Sequence, residues 1–274
     1  MTTHIIHGMS NALYHQHPSA SSSMLKTILR SPAHYFDAYL SGKERKPPTP
    51  TMLLGTMTHT AYLEPELFNS EYVVAPDVDR RTKDGKAAWA DFLAMNDGLT
   101  VVSAEQVDLA QAMASALRRH GLHEAIKMGG HFESSIFYTN EETGLDLRIR
   151  PDWHMPPCED WPTGVIVDLK STDDARPEAF ARTCVNFGYD LSASMYCEGF
   201  RQHYQTEEDP LYLLLVVERD APHGVMAYEA SGEMIAKGDA KYRRALALLE
   251  ECNANESWPC YPEEIVKLDL PKWA

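Results

Sequence analysis

Two aspartates and a lysine occupy positions from which they could act on one atom. Asp152 closes a strand-like segment, Leu145–His154 (LDLRIRPDWH), and Asp168 lies near the end of the apolar run Gly164–Lys170 (GVIVDLK). Lys170 follows after one intervening residue. In an extended strand, residues i and i+2 project to the same face, so Asp168 and Lys170 point together. Asp152 reaches the same spot if its strand neighbours theirs. Two converging carboxylates are hard oxygen ligands suited to Mg²⁺ or Mn²⁺. An ammonium beside them can hold a phosphate or the attacking water and stabilise charge developing in the transition state. Phosphodiester hydrolysis needs that set. By itself Asp-x-Lys after an apolar run is unspecific, since many strands end in a solvated Asp and Lys. Asp152 on a separate strand end narrows the reading.

The elements that must position these groups follow from periodicity. Residues 19–40 suit a helix with Ser21–Ser23 at its N-cap and an apolar face of Met24, Leu25, Ile28 and Leu29. Pro32 starts a second short helix running through Tyr39. Lys43 to Pro50 reads as a charged, proline-rich linker, and Thr51 to Leu63 as a helix with Gly55, His59 and Tyr62 near one face. Ala87–Met95 and Ala104–His120 are further helices. The character then turns extended. His131–Thr139 alternates as a strand, Asn140–Gly144 supplies a turn, and Leu145–His154 completes the hairpin. Gly164–Lys170 and Leu211–Glu218 read as strands buried on both faces. Arg182–Tyr204 is helical in its later part, His223–Glu229 suits an edge strand, and Met234–Cys252 is a helix before a proline-punctuated tail. This order predicts an α/β (α+β) fold: a mixed central sheet flanked by helices, with a helical N-terminal lobe. One domain is expected over 1–274, with a lobe at 1–100 carrying His59, a catalytic core at 101–252 and an extended tail at 253–274.

Composition sets bounds on function. The formal net charge of −15 repels a duplex, so nucleic acid chemistry requires basic residues concentrated where the strand passes. Arg80, Arg81, Lys83 and Lys86 form the densest cationic stretch, although on composition alone a solvated loop is the plainer account of them. The five cysteines make no CxxC pair, which fits a reduced cytoplasm and argues against a structural zinc site. No apolar run approaches the ~20 residues that cross a bilayer, and MTTHIIHGMS carries no secretory leader. A cytoplasmic protein without membrane partners is expected. No nucleophile elbow, phosphate-binding glycine loop or dinucleotide fingerprint is present to support a small-molecule hydrolase.

Several motifs carry a family resemblance. Pro151-Asp152 followed by Asp168-Leu169-Lys170 resembles the PD-(D/E)xK nuclease signature. Gly55-Thr56-Met57-Thr58-His59 resembles the helix-borne histidine motif of the RecB-like branch. Tyr14-His15, Ser21 to Lys26, Ser31-Pro32-Ala33-His34-Tyr35, Trp258 to Pro262 and Leu268 to Trp273 are similar to the exonuclease VIII (RecE-type) C-terminal domain. The resemblance spans nearly the whole chain.

It implies the following roles. His59, Asp152, Asp168 and the Leu169 carbonyl would be metal ligands for Mg²⁺, with Mn²⁺ able to substitute. Lys170 would be the catalytic lysine, and Glu133 an additional metal- or water-positioning carboxylate. Gly55 and Thr58 would let the histidine helix approach the sheet. RecB-like nucleases often carry Gln-x-x-x-Tyr on the helix after the Asp-x-Lys strand; here Ser192 stands at the Gln position and Tyr196 is kept. Ser192 and Tyr196 are therefore candidate DNA contacts, with packing the plainer role for Tyr196. The resemblance further implies 5′ to 3′ digestion of linear duplex DNA, leaving 3′ single strands for a RecT-type annealing partner. It also implies a homo-oligomeric ring, such as a tetramer, with Arg80, Arg81, Lys83 and Lys86 lining its channel, and a phage or prophage origin. Rival readings are an endonuclease or single-strand nuclease on the same core, or a non-catalytic interaction module.

Overall fold

The computed structural model describes residues 3–43 and 47–269. Its strands are β1 (His4–Ile6), β2 (Tyr72–Val74), β3 (Thr100–Val102), β4 (His131–Phe132), β5 (Ser135–Thr139), β6 (Asp146–Ile149), β7 (Trp153–Met155), β8 (Val165–Thr172), β9 (Leu211–Glu218) and β10 (Val225–Glu229). A five-stranded sheet runs β10-β9-β8-β7-β4, and a smaller one runs β1-β5-β6. β8 and β9 pair in parallel, while β7, β4 and β10 join antiparallel, so the central sheet is mixed. β8 and β9 are rich in valine and leucine because helices cover both of their faces.

Alternation along β8 divides those faces. Val165, Val167 and Leu169 pack into one core with Met57 and Ala61 of the Pro50–Leu63 helix and Met113 and Leu117 of the Ala104–Arg118 helix. Ile166 packs on the opposite face with Phe180, Ala193 and Phe200 from the Pro177–Phe187 and Tyr189–Tyr204 helices. A third core joins the small sheet to the Ser22–Arg30 and Gly232–Asn255 helices. The helix starts are sequence-encoded. Thr49 caps the Pro50 helix, whose proline fills a first-turn position, and Ser103 with Gln106 forms a capping box.

Two expected continuous strands are each broken. His131–Thr139 divides into β4 and β5 around Glu133, and Leu145–His154 divides into β6 and β7 around Arg150–Asp152. The hairpin passes from one sheet to the other at this point. Glu133 takes a left-handed conformation (φ 44°) there, and its N–H donates to the Asp152 carbonyl across the bend, 3.2 Å. Asp168 lies inside β8, which runs on to Thr172, and not at its end. The helix expected from Ala87 begins at Lys83, because Thr82 caps it. The helical run before Tyr204 is two helices hinged at Gly188, where φ is +60° and a residue with Cβ would be strained. Beyond expectation are β1, β2, β3 and the Asn11–Gln16, Phe68–Glu71 and Leu122–Lys127 helices. Residues 44–46 of the expected linker and 270–274 of the tail motif lie outside the described residues. No helix among the described residues is long and apolar enough to cross a membrane.

Candidate active site at the sheet switch

The site forms where β7 stops short of β8. Trp153 is the last residue of β7 on this side and pairs with Val167, so the next peptide groups along that edge of β8 lack a strand partner. Side chains supply the bonds instead. The Leu169 N–H donates to Asp152 Oδ2, and the Leu169 carbonyl accepts from His59 Nε2 at 3.1 Å and from Lys170 Nζ at 3.2 Å. His59 Nε2 also donates to Asp152 Oδ2 at 3.2 Å. Lys170 Nζ lies 2.6 Å from Asp168 Oδ2 and 5.2 Å from the centre of the Tyr189 ring. The backbone of one residue, Leu169, thus joins His59, Asp152 and Lys170 through its N–H and its carbonyl, and Lys170 brings in Asp168.

The histidine is oriented by its own helix. Its Nδ1–H donates to the Gly55 carbonyl one turn back, 2.8 Å. With Nε2 facing two acceptors as well, both nitrogens carry protons in this state. Electrostatics agree. Burial acts against the imidazolium, but the charge and hydrogen bond of Asp152 outweigh it and raise the pKa of His59 to about 9. Burial alone would raise the Asp152 carboxyl; the His59 charge and hydrogen bond overcome this and hold it below the ordinary value. Asp168 goes the other way. Burial raises it, with the Asp152 charge adding, and Lys170 only partly compensates. Lys170 itself is raised: burial opposes its charge, and Asp168 and Asp152 prevail. It is therefore a fixed cation near neutral pH.

Glu133 sits across the bend from Asp152, beside a cavity of about 290 Å³ that His59 and Arg150 also line. Burial and then the Asp152 charge push its carboxyl up to about 8. Gly55 does not serve close packing. A Cβ there would meet only Ser171 Oγ at 3.7 Å, an ordinary contact, and the residue's part is its carbonyl. Thr58 is buried, and its hydroxyl donates to Leu54 O.

The remaining candidates are not all brought together. Tyr196 Oη donates to the Arg150 carbonyl, 3.3 Å, which fastens the bend that carries Asp152. Ser192, on the same helix, is 6% exposed and offers a strand little surface. Arg80, Arg81, Lys83 and Lys86 are exposed around the start of the Lys83–Met95 helix. Arg80 stacks on Trp89 at 4.5 Å and Arg81 is bound to Asp79, so the contacts of these two arginines are local. Sequence reasoning gave no individual role to Lys26 or Tyr189. The Lys26 ammonium lies 5.5 Å from the centre of the ring that Lys170 also approaches. A lone lysine on an amphipathic helix carries no signal that separates it from a solvated one.

The donor types suit a divalent cation: an imidazole whose Nδ1–H is already committed, two carboxylates and a backbone carbonyl. Among the described residues no three His, Cys, Asp or Glu side chains close on one point, since Asp168 is turned to Lys170.

A family model described as a PDDEXK-like domain of unknown function (DUF3799) matches residues 21–270. Among solved structures, a candidate exonuclease from Eubacterium rectale is similar, with TM-score 0.61 and 13% identity over 96% of each chain. That likeness bears on the fold alone. A second structure, of the protein SSO0001, shares 12% identity over 70% of this chain and 86% of its own, and its TM-score of 0.30 carries no argument. No curated protein matches the sequence.

Proposed function

The chain belongs to the family of PDDEXK-like domains of unknown function (DUF3799), and on that basis we propose that it is a divalent-metal-dependent exodeoxyribonuclease acting on linear duplex DNA from its ends. The observation that carries this reading is the meeting of His59, Asp152 and Lys170 at the Leu169 backbone, with Asp168 paired to Lys170. His59 Nε2, Asp152, Asp168 and the Leu169 carbonyl would hold Mg²⁺, with Mn²⁺ as substitute. When bound, such a cation polarises the phosphate and lowers the pKa of a water.

The protein's own residues supply the rest. Lys170, held cationic by two aspartates, cannot take a proton from water. Its ammonium faces the phosphate oxygens and stabilises the negative charge that grows as water oxygen bonds to phosphorus and the phosphorus–oxygen ester bond breaks. The Gly55 carbonyl fixes the imidazole so that Nε2 faces the site. Glu133, across the bend from Asp152, would be the further carboxylate that positions the metal or the attacking water.

End dependence, 5′ to 3′ polarity, the 3′ single-stranded product, a ring-shaped homo-oligomer and a RecT-type annealing partner are supported by the RecE-type sequence resemblance. A ring would let an acidic exterior coexist with a locally basic channel, which eases the net charge of −15. The test is digestion of 5′-phosphorylated linear duplex with Mg²⁺, beside closed circular DNA and the Lys170→Ala protein. Progressive loss of the linear duplex alone, abolished by the substitution, is expected. Cleavage of circles would replace the exonuclease with an endonuclease, and equal activity in Lys170→Ala would remove the site from the chemistry.

A further inference from the structure

Lys26 projects from the Ser22–Arg30 helix toward the catalytic lysine. Its stem packs on the Gly188 hinge, where a Cβ would stand 3.4 Å from its Cγ, Cδ and Cε. Its ammonium caps the Tyr189 ring at 5.5 Å, and Lys170 approaches the same ring at 5.2 Å. The two lysines are not equivalent. Lys170 has Asp168 at 2.6 Å, whereas among the described residues Lys26 has no hydrogen bond and no carboxylate within ion-pair distance. The acids that act on it from further off are engaged elsewhere, Asp168 by Lys170 and Asp190 by Lys241 at 2.5 Å.

A half-buried ammonium beside a second, fixed ammonium is costly unless an anion comes to it. The cost is visible in its titration: burial, then the Lys170 charge, push Lys26 down to about 8. A lysine needed only for packing could be any apolar residue of similar length, since its stem already covers Gly188. A cation kept there with an aromatic ring but no carboxylate at ion-pair distance among the described residues is matched to an anion supplied with the substrate.

We propose that Lys26 holds a backbone phosphate of the DNA strand beside the phosphate on which Lys170 acts. It is a positioning residue: it registers the strand against the reacting centre and takes no part in bond making. This inference rests on the nuclease reading of the same site.

The test is equilibrium binding of 5′-hydroxyl linear duplex with Ca²⁺ in place of Mg²⁺, measured over a range of salt for wild type, Lys26→Met and Lys26→Arg. Loss of one phosphate contact should weaken Lys26→Met about tenfold and lower the slope of log affinity against log salt by about 1. Lys26→Arg should restore the slope, a rescue that a purely structural role would not require of the charge. In cleavage assays KM should rise about tenfold with kcat nearly unchanged. Unchanged slope and affinity in a folded Lys26→Met protein would overturn the proposal while leaving the nuclease reading intact. If Lys26→Met does not fold, Lys26→Gln takes its place. A loss confined to 5′-phosphorylated duplex would overturn the backbone assignment. Wild type that binds no DNA would overturn this inference and the nuclease reading together.

Discussion

Two imidazoles flank the bend before β7 and are treated in opposite ways. His59 has acceptors on both nitrogens, the Gly55 carbonyl on one and Asp152 with the Leu169 carbonyl on the other. His154, fully buried, has the Tyr204 hydroxyl 2.7 Å from Nε2, and its Nδ1 has no hydrogen-bond partner among the described residues. Its ring neighbours are His131, Phe200 and Tyr204. Burial disfavours the charged form of both. It wins at His154, where His131, His7 and His203 add repulsion and the pKa falls to about 3. At His59 the Asp152 charge reverses it, to about 9. Burial therefore sets the neutral state of His154, and at His59 the nearest carboxylate overrides it. The charged side of the bend carries the proposed site, and the neutral side packs among aromatic rings.

The strongest way to break this comparison is by activity. Lys170→Ala and His59→Ala should each lower cleavage by roughly 10²–10³ or more, as losses of a charge stabiliser and a proposed ligand do. His154→Leu, on the neutral side, should leave specific activity within about threefold once the folded fraction is counted. Loss of activity in His154→Leu equal to that of His59→Ala would erase the distinction.

Stability against pH in the presence of a chelator sharpens it next. His154 has a lowered folded pKa, so it must gain a proton only on unfolding in acid. Its contribution is present above the unfolded value near 6.5 and is lost as pH falls toward 3. By pH 5 that loss amounts to about 2 kcal/mol at 1.36 kcal/mol per unit. His59 behaves inversely. Its raised folded pKa stabilises fully below about 6.5, and the contribution disappears as pH rises through 9. Denaturation curves at several pH values should show the acid loss suppressed in His154→Leu and the alkaline loss suppressed in Asp152→Asn. Retention of both slopes in both variants would contradict the assignments.

A smaller effect is expected far from both rings. Substituting Arg80, Arg81, Lys83 and Lys86 together by Gln should reduce the salt slope of DNA binding by about 2 and not about 4. Arg80 and Arg81 are already engaged by Trp89 and Asp79, which leaves two lysines for a duplex. An unchanged slope would remove the stretch from the DNA path. The smallest change is expected at Tyr196, whose hydroxyl secures the Arg150 carbonyl at the bend between the two regions. Tyr196→Phe should cost about 1 kcal/mol in thermal or chemical unfolding and alter KM for DNA little. A large rise in KM would instead show direct contact with the substrate.

What was legible in the sequence had short-range causes. The i, i+2 relation of Asp168 and Lys170, the strand-forming valines of β8 and β9, and the caps at Thr49 and Ser103 each follow from neighbours a few residues away. The helix of His59 was legible for the same reason. The split of the hairpin strands was not, because alternation runs smoothly through Glu133 and through Arg150–Asp152, and the bend is imposed by two sheets sharing one hairpin. The small size of Gly55 suggests close packing, whereas in the fold it supplies a carbonyl to His59. In sequence Lys26 is indistinguishable from a solvated lysine; only the packing of the Ser22–Arg30 helix beside the Gly188 hinge sets it apart.

The sequence by itself determined the element types, the mixed sheet and the chemical identity of the groups at its centre, since these depend on periodicity, capping and residue type. The tertiary structure decided which groups share a proton and which stay neutral. It made the Leu169 backbone the junction of the site and set Lys26 beside Lys170 with no carboxylate at ion-pair distance among the described residues. Those outcomes depend on distances between segments far apart in the chain, and a charge inside a protein answers to its nearest neighbours in space.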